Sequence, residues 1–558
     1  MKGVCALVLA FLAVFVAGAL AAGGRDPTFG TNGFTFADDP GGNQEVLNDV
    51  AVLPSGKILA VGSRGGSGGF LLLRLNADGS PDQGFGVGGI QVQPDTDMPG
   101  APRALSGMDM QSDGRIVAAG LGRGPGGLNA FGFARYLSDG SIDSSFGDGG
   151  QGVKVVAAPP GYDFGDAFDV AAGTGDRTIG AGEVGDQSMG FFTFVAAALA
   201  LDSSGQPDAS FGSVGGFALI DVPGGTSEEA NAIERMPDGS LLVGGRADDG
   251  AFLAKLDANG NLVPGFGTGG IAVHDLGTAA SPSGFILDLE VTGDGKILAT
   301  GSSAGPGSQL FVARFLPGGG IDPSFGNGGK VLRNPTPNDD EGAGLALTPD
   351  GRIVVAGVRN DNDDNSEAWV FRLLADGSPD PAFGPGGERV FDLTPGLDAA
   401  NAVTLQGDGK AVIAGSATPG PGFQLMVGRL RGDPRAPTPA SCLGKPATLV
   451  GTPNGEVLTG TGRRDVIAAR GGRDRIRSFG GNDVICAGAG NDTVRGGKGR
   501  DRVKGGPGND RLYGGPARDQ LLGGTGKDRF GGGAGIDLCR GGSGRDAAAG
   551  CEVEPGVP

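Results

Sequence analysis

Residues 345–387 read LALTPDGRIVVAGVRNDNDDNSEAWVFRLLADGSPDPAFGPGG. An apolar run, a Pro-Asp-Gly turn and a second apolar run (LALTPDGRIVVAG) form one hairpin. A second hairpin, WVFRLLADGSPDPAFG, turns on Asp376-Gly377 and closes on a Phe-Gly pair. Asp-Gly and Ser-Gly tolerate the positive φ that tight hairpin turns demand, and the flanking runs are rich in β-branched and aromatic residues.

The Phe-Gly anchor recurs at Phe29, Phe85, Phe146, Phe211, Phe266, Phe325 and Phe383, at spacings of 56, 61, 65, 55, 59 and 58 residues. Two hairpins per unit make four strands, the content of one propeller blade. Seven anchors therefore predict an all-β, seven-bladed β-propeller over residues 26–431. The chain begins the repeats with a last-strand segment, Arg25 to Gly30, and ends them near Arg429-Leu430 after three strands. The N-terminal strand then completes the seventh blade, and a closed ring leaves no open edge; an open solenoid is the alternative. By these residues the segment resembles the delta-60 repeat family of bacterial secreted proteins, which implies a repeat architecture and no particular chemistry.

Composition agrees with an all-β reading. The 558 residues include 116 Gly and 36 Pro, more than twice the average share of about 12% for the pair, yet 38% are apolar and 29 are Phe. A net charge of −19 argues against an overall basic nucleic-acid binder, and a single His, His274, leaves little material for His-based metal sites or triads. No phosphate loop, Ser-His-Asp order or glycosidase pair stands out, so the chain reads as non-enzymatic.

Two charges repeat with the anchors. Three residues before the anchor Phe stand Asp26, Asp82, Asp143, Asp208, Asp322 and Asp380, with Val263 the exception. Eleven before it stand Arg74, Arg135, Lys255, Arg314 and Arg372, with Ala200 the exception. Each acid has its own base, so the row reads as cross-strand ion pairs contributing a few tenths of a kcal/mol per blade rather than as a ring of ligand acids. The run Asp361, Asp363, Asp364, Glu367 lacks the Gly and the bidentate Glu of a calcium loop, since Ser366 and Arg372 stand there.

Residues 1–22 carry Lys2, an apolar run from Val4 to Ala17, and Ala19-Leu20-Ala21, the order of a cleaved secretory signal peptide. No later segment could span a bilayer as an apolar helix. The expectation is an extracellular protein, secreted or held at the cell surface. Four cysteines remain, Cys442, Cys486, Cys539 and Cys551. An exported chain predicts two disulfides, and pairing Cys442 with Cys486 and Cys539 with Cys551 staples each end of the segment that holds them.

That segment, residues 441–552, follows a Pro-rich linker (432–440) and has its own period. Asp465, Asp474, Asp483, Asp492, Asp501, Asp510, Asp519, Asp528, Asp537 and Asp546 stand nine apart without a slip, each followed two residues later by an inward candidate such as Ile467, Val503 or Leu521. The preceding residues are Gly-rich, as in GGKGRD (496–501) and GGPGND (505–510). This resembles the hemolysin-type (RTX) calcium-binding nonapeptide over residues 451–549 and implies a parallel β-roll. Two nonapeptides make one coil, so the aspartates split into two stacks. The ten carboxylates are the expected ligands, and oxygen-only ligation in an irregular cage favours Ca²⁺ over Mg²⁺.

The pattern departs from the family in places. Arg or Lys often precedes the Asp, Ala517 replaces a turn glycine, and residues 441–558 hold 18 Lys/Arg against 13 Asp/Glu, a net +5. The functional expectation is a secreted, calcium-binding adhesion or binding scaffold whose partner is a cell-wall or extracellular polymer, with nucleic acid disfavoured for want of aromatic platforms. The rival is a secreted hydrolase acting on such a polymer in the propeller channel.

Overall fold

Each pair of apolar runs folds as the turn chemistry dictates, and the hairpins assemble into seven four-stranded antiparallel sheets in a computed structural model. The structure describes residues 22–553 except 39–43, 54, 65–68, 94–103, 112, 187–192, 237, 249, 278–283, 304–307, 335, 337–339, 363–364, 419–421, 433–440 and 452–454. Most of the expected export segment, most of the linker and the centre of the acidic run at Asp363-Asp364 therefore lie outside the described residues. The chain divides into two units, Met1–Pro434 and Arg435–Pro558.

In the first unit the sheets are the blades of a seven-bladed propeller. The first blade runs Glu45–Val52, Ile58–Arg64, Phe70–Leu75 and Ile90–Gln93. The seventh takes Ala399–Leu405, Ala411–Ala417 and Gln424–Leu430 from the end of the repeats and Phe34–Ala37 from the start. Phe34 pairs with Gly428 and Ala37 with Leu425 in antiparallel register, so the ring closes on the N-terminal strand. One part of the expectation shifts: the closing strand is Phe34–Ala37, after the Phe-Gly anchor, whereas Arg25–Gly30 is mostly turn with one bridge from Arg25 to Leu430. The same holds in every blade, because the anchor Phe packs inward and ends a turn before the outer strand begins.

The apolar core lies between blades. Leu47, Ile58 and Leu71 of the first blade pack with Val412, Leu425 and Val427 of the seventh, and a comparable cluster fills each junction around the ring. Ala22, the last residue of the expected export segment, is buried among the residues between blades six and seven, and the Gly23 amide donates to Arg431 O at 2.9 Å.

The repeated charges pair as their spacing predicts: Arg74 to Asp82 at 2.6 Å, Arg135 to Asp143 at 2.7 Å, Arg314 to Asp322 at 2.9 Å and Arg372 to Asp380 at 2.7 Å. Their worth differs from the expectation. Arg135 and Asp143 are 0% and 4% exposed, and each guanidinium lies over its anchor ring, 4.5 Å from Phe146 in this case. Breaking a buried pair costs several kcal/mol rather than tenths. A second base, just after the glycine of the first hairpin turn, joins the same carboxylate: Lys57 at Asp82 (2.6 Å) and Lys296 at Asp322 (3.0 Å). Where Ala200 removes the first base, Arg177, which follows Asp176 in the corresponding turn, holds Asp208 at 2.6 Å. His274 donates from Nε2 to Gly319 O at 2.8 Å and packs on Phe315, a structural role.

The second unit is a parallel β-roll of two facing sheets. One stacks seven strands from Leu449–Val450 to Glu552–Val553, the other six from Val457–Thr459 to Ala547–Ala549. Ile467, Ile485, Val503, Leu521 and Cys539 from one sheet meet Ile476, Val494, Leu512 and Phe530 from the other in a single core. Early rungs are three residues long; from Arg502 they lengthen to six, because Gly-Gly pairs let the parallel ladder continue through Gly506 and Gly524. The disulfides are Cys442 to Cys486 and Cys539 to Cys551, the expected pairing.

Candidate metal centre in the roll and the propeller channel

The nine-residue period sets the carboxylates on two lines, one per sheet edge. The Asp465 amide donates to Asp483 Oδ1 at 2.8 Å, and Asp483, Asp501 and Asp519 repeat this onto Asp501, Asp519 and Asp537. Asp474, Asp492, Asp510 and Asp528 do the same onto Asp492, Asp510, Asp528 and Asp546. Oδ1 is thus consumed by the scaffold. Oδ2 is not: on Asp474, Asp483, Asp492, Asp501, Asp510, Asp519, Asp528 and Asp546 it is buried and no donor reaches it. A buried carboxylate oxygen without a partner is costly, and a cation removes that cost.

The turn supplies the other half of the cradle. A Cβ at Gly505 would touch Asp510 Oδ2 and stand 2.7 Å from the Gly523 carbonyl oxygen; Gly496 has the same relation to Asp501 Oδ2 and, at 2.9 Å, to Gly514 O. The bare glycine leaves open a space faced by one carboxylate and by carbonyls of the next rung. Among the described residues no three His, Cys, Asp or Glu converge, so any cation here must be shared between a carboxylate and backbone carbonyls, a donor set that suits a hard ion.

The ten expected ligands are not equivalent. Glycine stands five residues ahead of Asp501, Asp510, Asp519, Asp528, Asp537 and Asp546, whereas Ala469, Ser478 and Ala487, which carry a side chain, stand ahead of Asp474, Asp483 and Asp492. Asp465 Oδ2 is already held by the Thr461 amide at 2.7 Å. A residue the Asp pattern misses also enters the ladder: Glu456, nine before Asp465, donates from its amide to Asp474 Oδ1 at 2.9 Å. Only the nine-residue phase, not the residue type, signals it.

Burial, with help from neighbours in the same stack, pushes the carboxyls of Asp501 and Asp510 up to about 7 and Asp519 up to about 6. The bases preceding the ladder acids, such as Arg500, Arg518 and Lys527, are exposed and remove no ligand.

In the propeller, a bulge in the inner strands turns extra residues toward the axis. Asp49, Asp169 and Asp288 line a cavity of about 110 Å³ at the waist of the channel. Each is held from two sides: Asp49 accepts from the Val50 amide at 2.7 Å and from Met108 of the next blade at 2.8 Å, and Asp169 and Asp288 reach Ile233 and Leu345 in the same way. Burial raises all three, Asp49 to about 7. Asn48, Asn231 and Asn401 donate to carbonyls of neighbouring blades. These groups act as struts between inner strands.

A ladder of carboxylates and carbonyls on a parallel roll is a repeat-built donor set of the kind that suits hard cations. The chain's C-terminal unit carries that repeat: the family model for the RTX calcium-binding nonapeptide repeat (4 copies) matches residues 459–494, 487–521, 495–530 and 513–547. The N-terminal unit carries repeats of the family described as Domain of unknown function (DUF5122) beta-propeller, matched at residues 53–85, 111–146, 292–325 and 348–383. No curated protein matches the chain.

Solved structures that resemble it include a glucose dehydrogenase (13% identity, 71% of this chain and 98% of that one, TM-score 0.33). Others are the polysaccharide lyase Uly1 (12%, 70% and 90%, 0.34) and an acylaminoacyl peptidase of Pyrococcus horikoshii (10%, 75% and 60%, 0.35). Likenesses this weak carry no argument about activity.

Proposed function

We propose that this protein is an exported, non-enzymatic binding protein whose C-terminal roll is organised by calcium and whose propeller is a rigid display scaffold. The observation that carries the reading is the row of buried Asp Oδ2 atoms without donors beside carbonyl-lined spaces at Gly496, Gly505, Gly514 and Gly523. Calcium, when bound, supplies positive charge to these carboxylates. The chain's own residues do the rest: Oδ1 holds the next rung, glycine keeps the space open, and the apolar ladder fixes the coil. Two disulfides agree with export, and the burial of Ala22 supports cleavage ahead of it, after Ala21. Calorimetric titration of the full chain with calcium tests the proposal; absence of any heat or structural change between chelator and millimolar calcium would overturn it.

One observation favours the rival hydrolase. Glu234, pushed up to about 8 by burial and by Glu290, Asp109 and Asp169, lines a pocket of about 430 Å³ with Asp109 and Arg235. A carboxyl that is protonated near neutrality suits a general acid. Assays on a panel of extracellular polymers with the wild type and Glu234→Gln separate the two readings: turnover lost in the variant favours the enzyme.

A further inference from the structure

The roll sorts its charges by depth. Of the 13 acids in residues 441–558, the ten ladder aspartates are buried, none above 8% exposed. Glu456, Glu552 and Glu554 are all that remain against 18 Lys/Arg. The outside is therefore far more cationic than the net charge suggests.

The bases concentrate on the six-stranded sheet. Arg477 pairs in register with Arg495 and Arg495 with Tyr513, forming one outward column; Arg475, Thr493, Arg511 and Arg529 form the other. The five arginines and Tyr513 are exposed, and no carboxylate lies within ion-pair distance of any of the five among the described residues. Arg495 lies 5.9 Å over the Tyr513 ring. Neighbouring rungs of a sheet are about 4.8 Å apart, and like charges side by side at that spacing repel, a cost that an external polyanion offsets. The opposite sheet differs: Cys442 packs over Val466 and Val484, and Leu522 and Leu538 interrupt its outward bases.

We propose that this arginine face binds a linear acidic polysaccharide, with carboxylates or sulfates along the chain paired to the guanidinium columns and one sugar ring against Tyr513. Guanidinium forks match both anions bidentately. A rung is close to the length of one sugar ring, so anions on adjacent rings meet Arg477 and Arg495 in one column and Arg511 and Arg529 in the other. Single-stranded nucleic acid needs several aromatic platforms, and this face has one. The proposal names the partner class of the binding protein proposed above and rests on that reading for calcium: neutralising the buried aspartates raises the positive potential of the face. By linkage, polyanion and calcium each strengthen the other's binding.

The test uses the full chain, with and without calcium, against carboxymethyl-dextran, dextran sulfate, unmodified dextran and duplex DNA. Two variants are compared: R477Q/R495Q/R511Q/R529Q on the face, and R464Q/R500Q/R518Q/R545Q on the turns. Expected are binding of charged dextrans only, tighter in calcium, and a loss of at least about tenfold for the face variant against less than about threefold for the turn variant. The two charged dextrans tell carboxylate from sulfate preference. Equal losses in both variants, no binding of either charged dextran, or tighter binding of DNA would overturn the proposal. Circular dichroism and melting in calcium separate the two readings. If calcium changes neither while the face variant still loses dextran, the calcium reading fails and the face stands. If the calcium response is intact and the face variant binds like wild type, the face fails.

Discussion

Arg429 donates from Nε to Asp26 Oδ2 at 2.8 Å, joining residues 403 positions apart. Each lacks the partner that its own repeat would supply, since no repeat base precedes Asp26 and no repeat acid follows Arg429. The guanidinium also lies 4.7 Å over the Phe29 ring, and Lys410 reaches the same carboxylate at 3.3 Å. The pair repeats at the ring junction the arrangement found inside the other blades.

Arg429→Ala should therefore destabilise the propeller by about 2–3 kcal/mol, because it strips the buried Asp26 of its guanidinium and leaves only the longer Lys410 contact and the Thr28 hydrogen bonds at the closure. Denaturant unfolding measures this. A loss below about 1 kcal/mol, the worth of a surface pair, would show that the junction is not held as the geometry implies.

Calcium affinity should be weak, about 10⁻⁴ to 10⁻³ M, as for extracellular modules. Asp510→Ala and Asp528→Ala should each remove calcium heat in titration, whereas Asp474→Ala, preceded five residues earlier by Ala469 rather than glycine, should remove little. Equal effects at all three would contradict the role assigned to glycine.

Ala517 adopts φ 96° in a turn where the equivalent positions are glycine. Ala517→Gly should stabilise the roll by about 0.5–1 kcal/mol through relief of that conformation. The calcium-loaded melting temperature reports it.

The propeller should lose stability as pH rises from about 5 to 8. Burial raises Asp49, Asp166 and Glu290 to about 7 and Glu183 and Glu234 to about 8. Between the ordinary carboxylate range and these values the folded state binds more protons than the unfolded one, so stability falls with pH. At the acid end the sign reverses. Asp26 is held down to about 2, its burial outweighed by hydrogen bonds from Thr28 and by Arg429, so its contribution disappears as pH falls below about 4. Melting curves that stay level from pH 5 to 8 would contradict the channel assignment.

Spacing alone determined much of this protein. Seven Phe-Gly anchors specify seven blades, the orphaned Asp26 and Arg429 specify closure, and ten aspartates nine apart specify a roll with two stacks, since each is a periodic signal that local chemistry repeats. Tertiary structure decided what periodicity does not encode. The outer strand lies after the anchor because Phe29 must turn inward before Phe34 can pair with Gly428. The ion pairs are buried because neighbouring blades cover them, so their energetic weight could not be read from one repeat. Asp510 and Asp474 look alike in sequence, yet only the coil brings the residue five positions earlier against the carboxylate of Asp510, where Gly505 has no side chain, while Ala469 stands at the corresponding position before Asp474. The arginine face likewise exists only once parallel register sets Arg477, Arg495 and Tyr513 side by side while the aspartates turn inward.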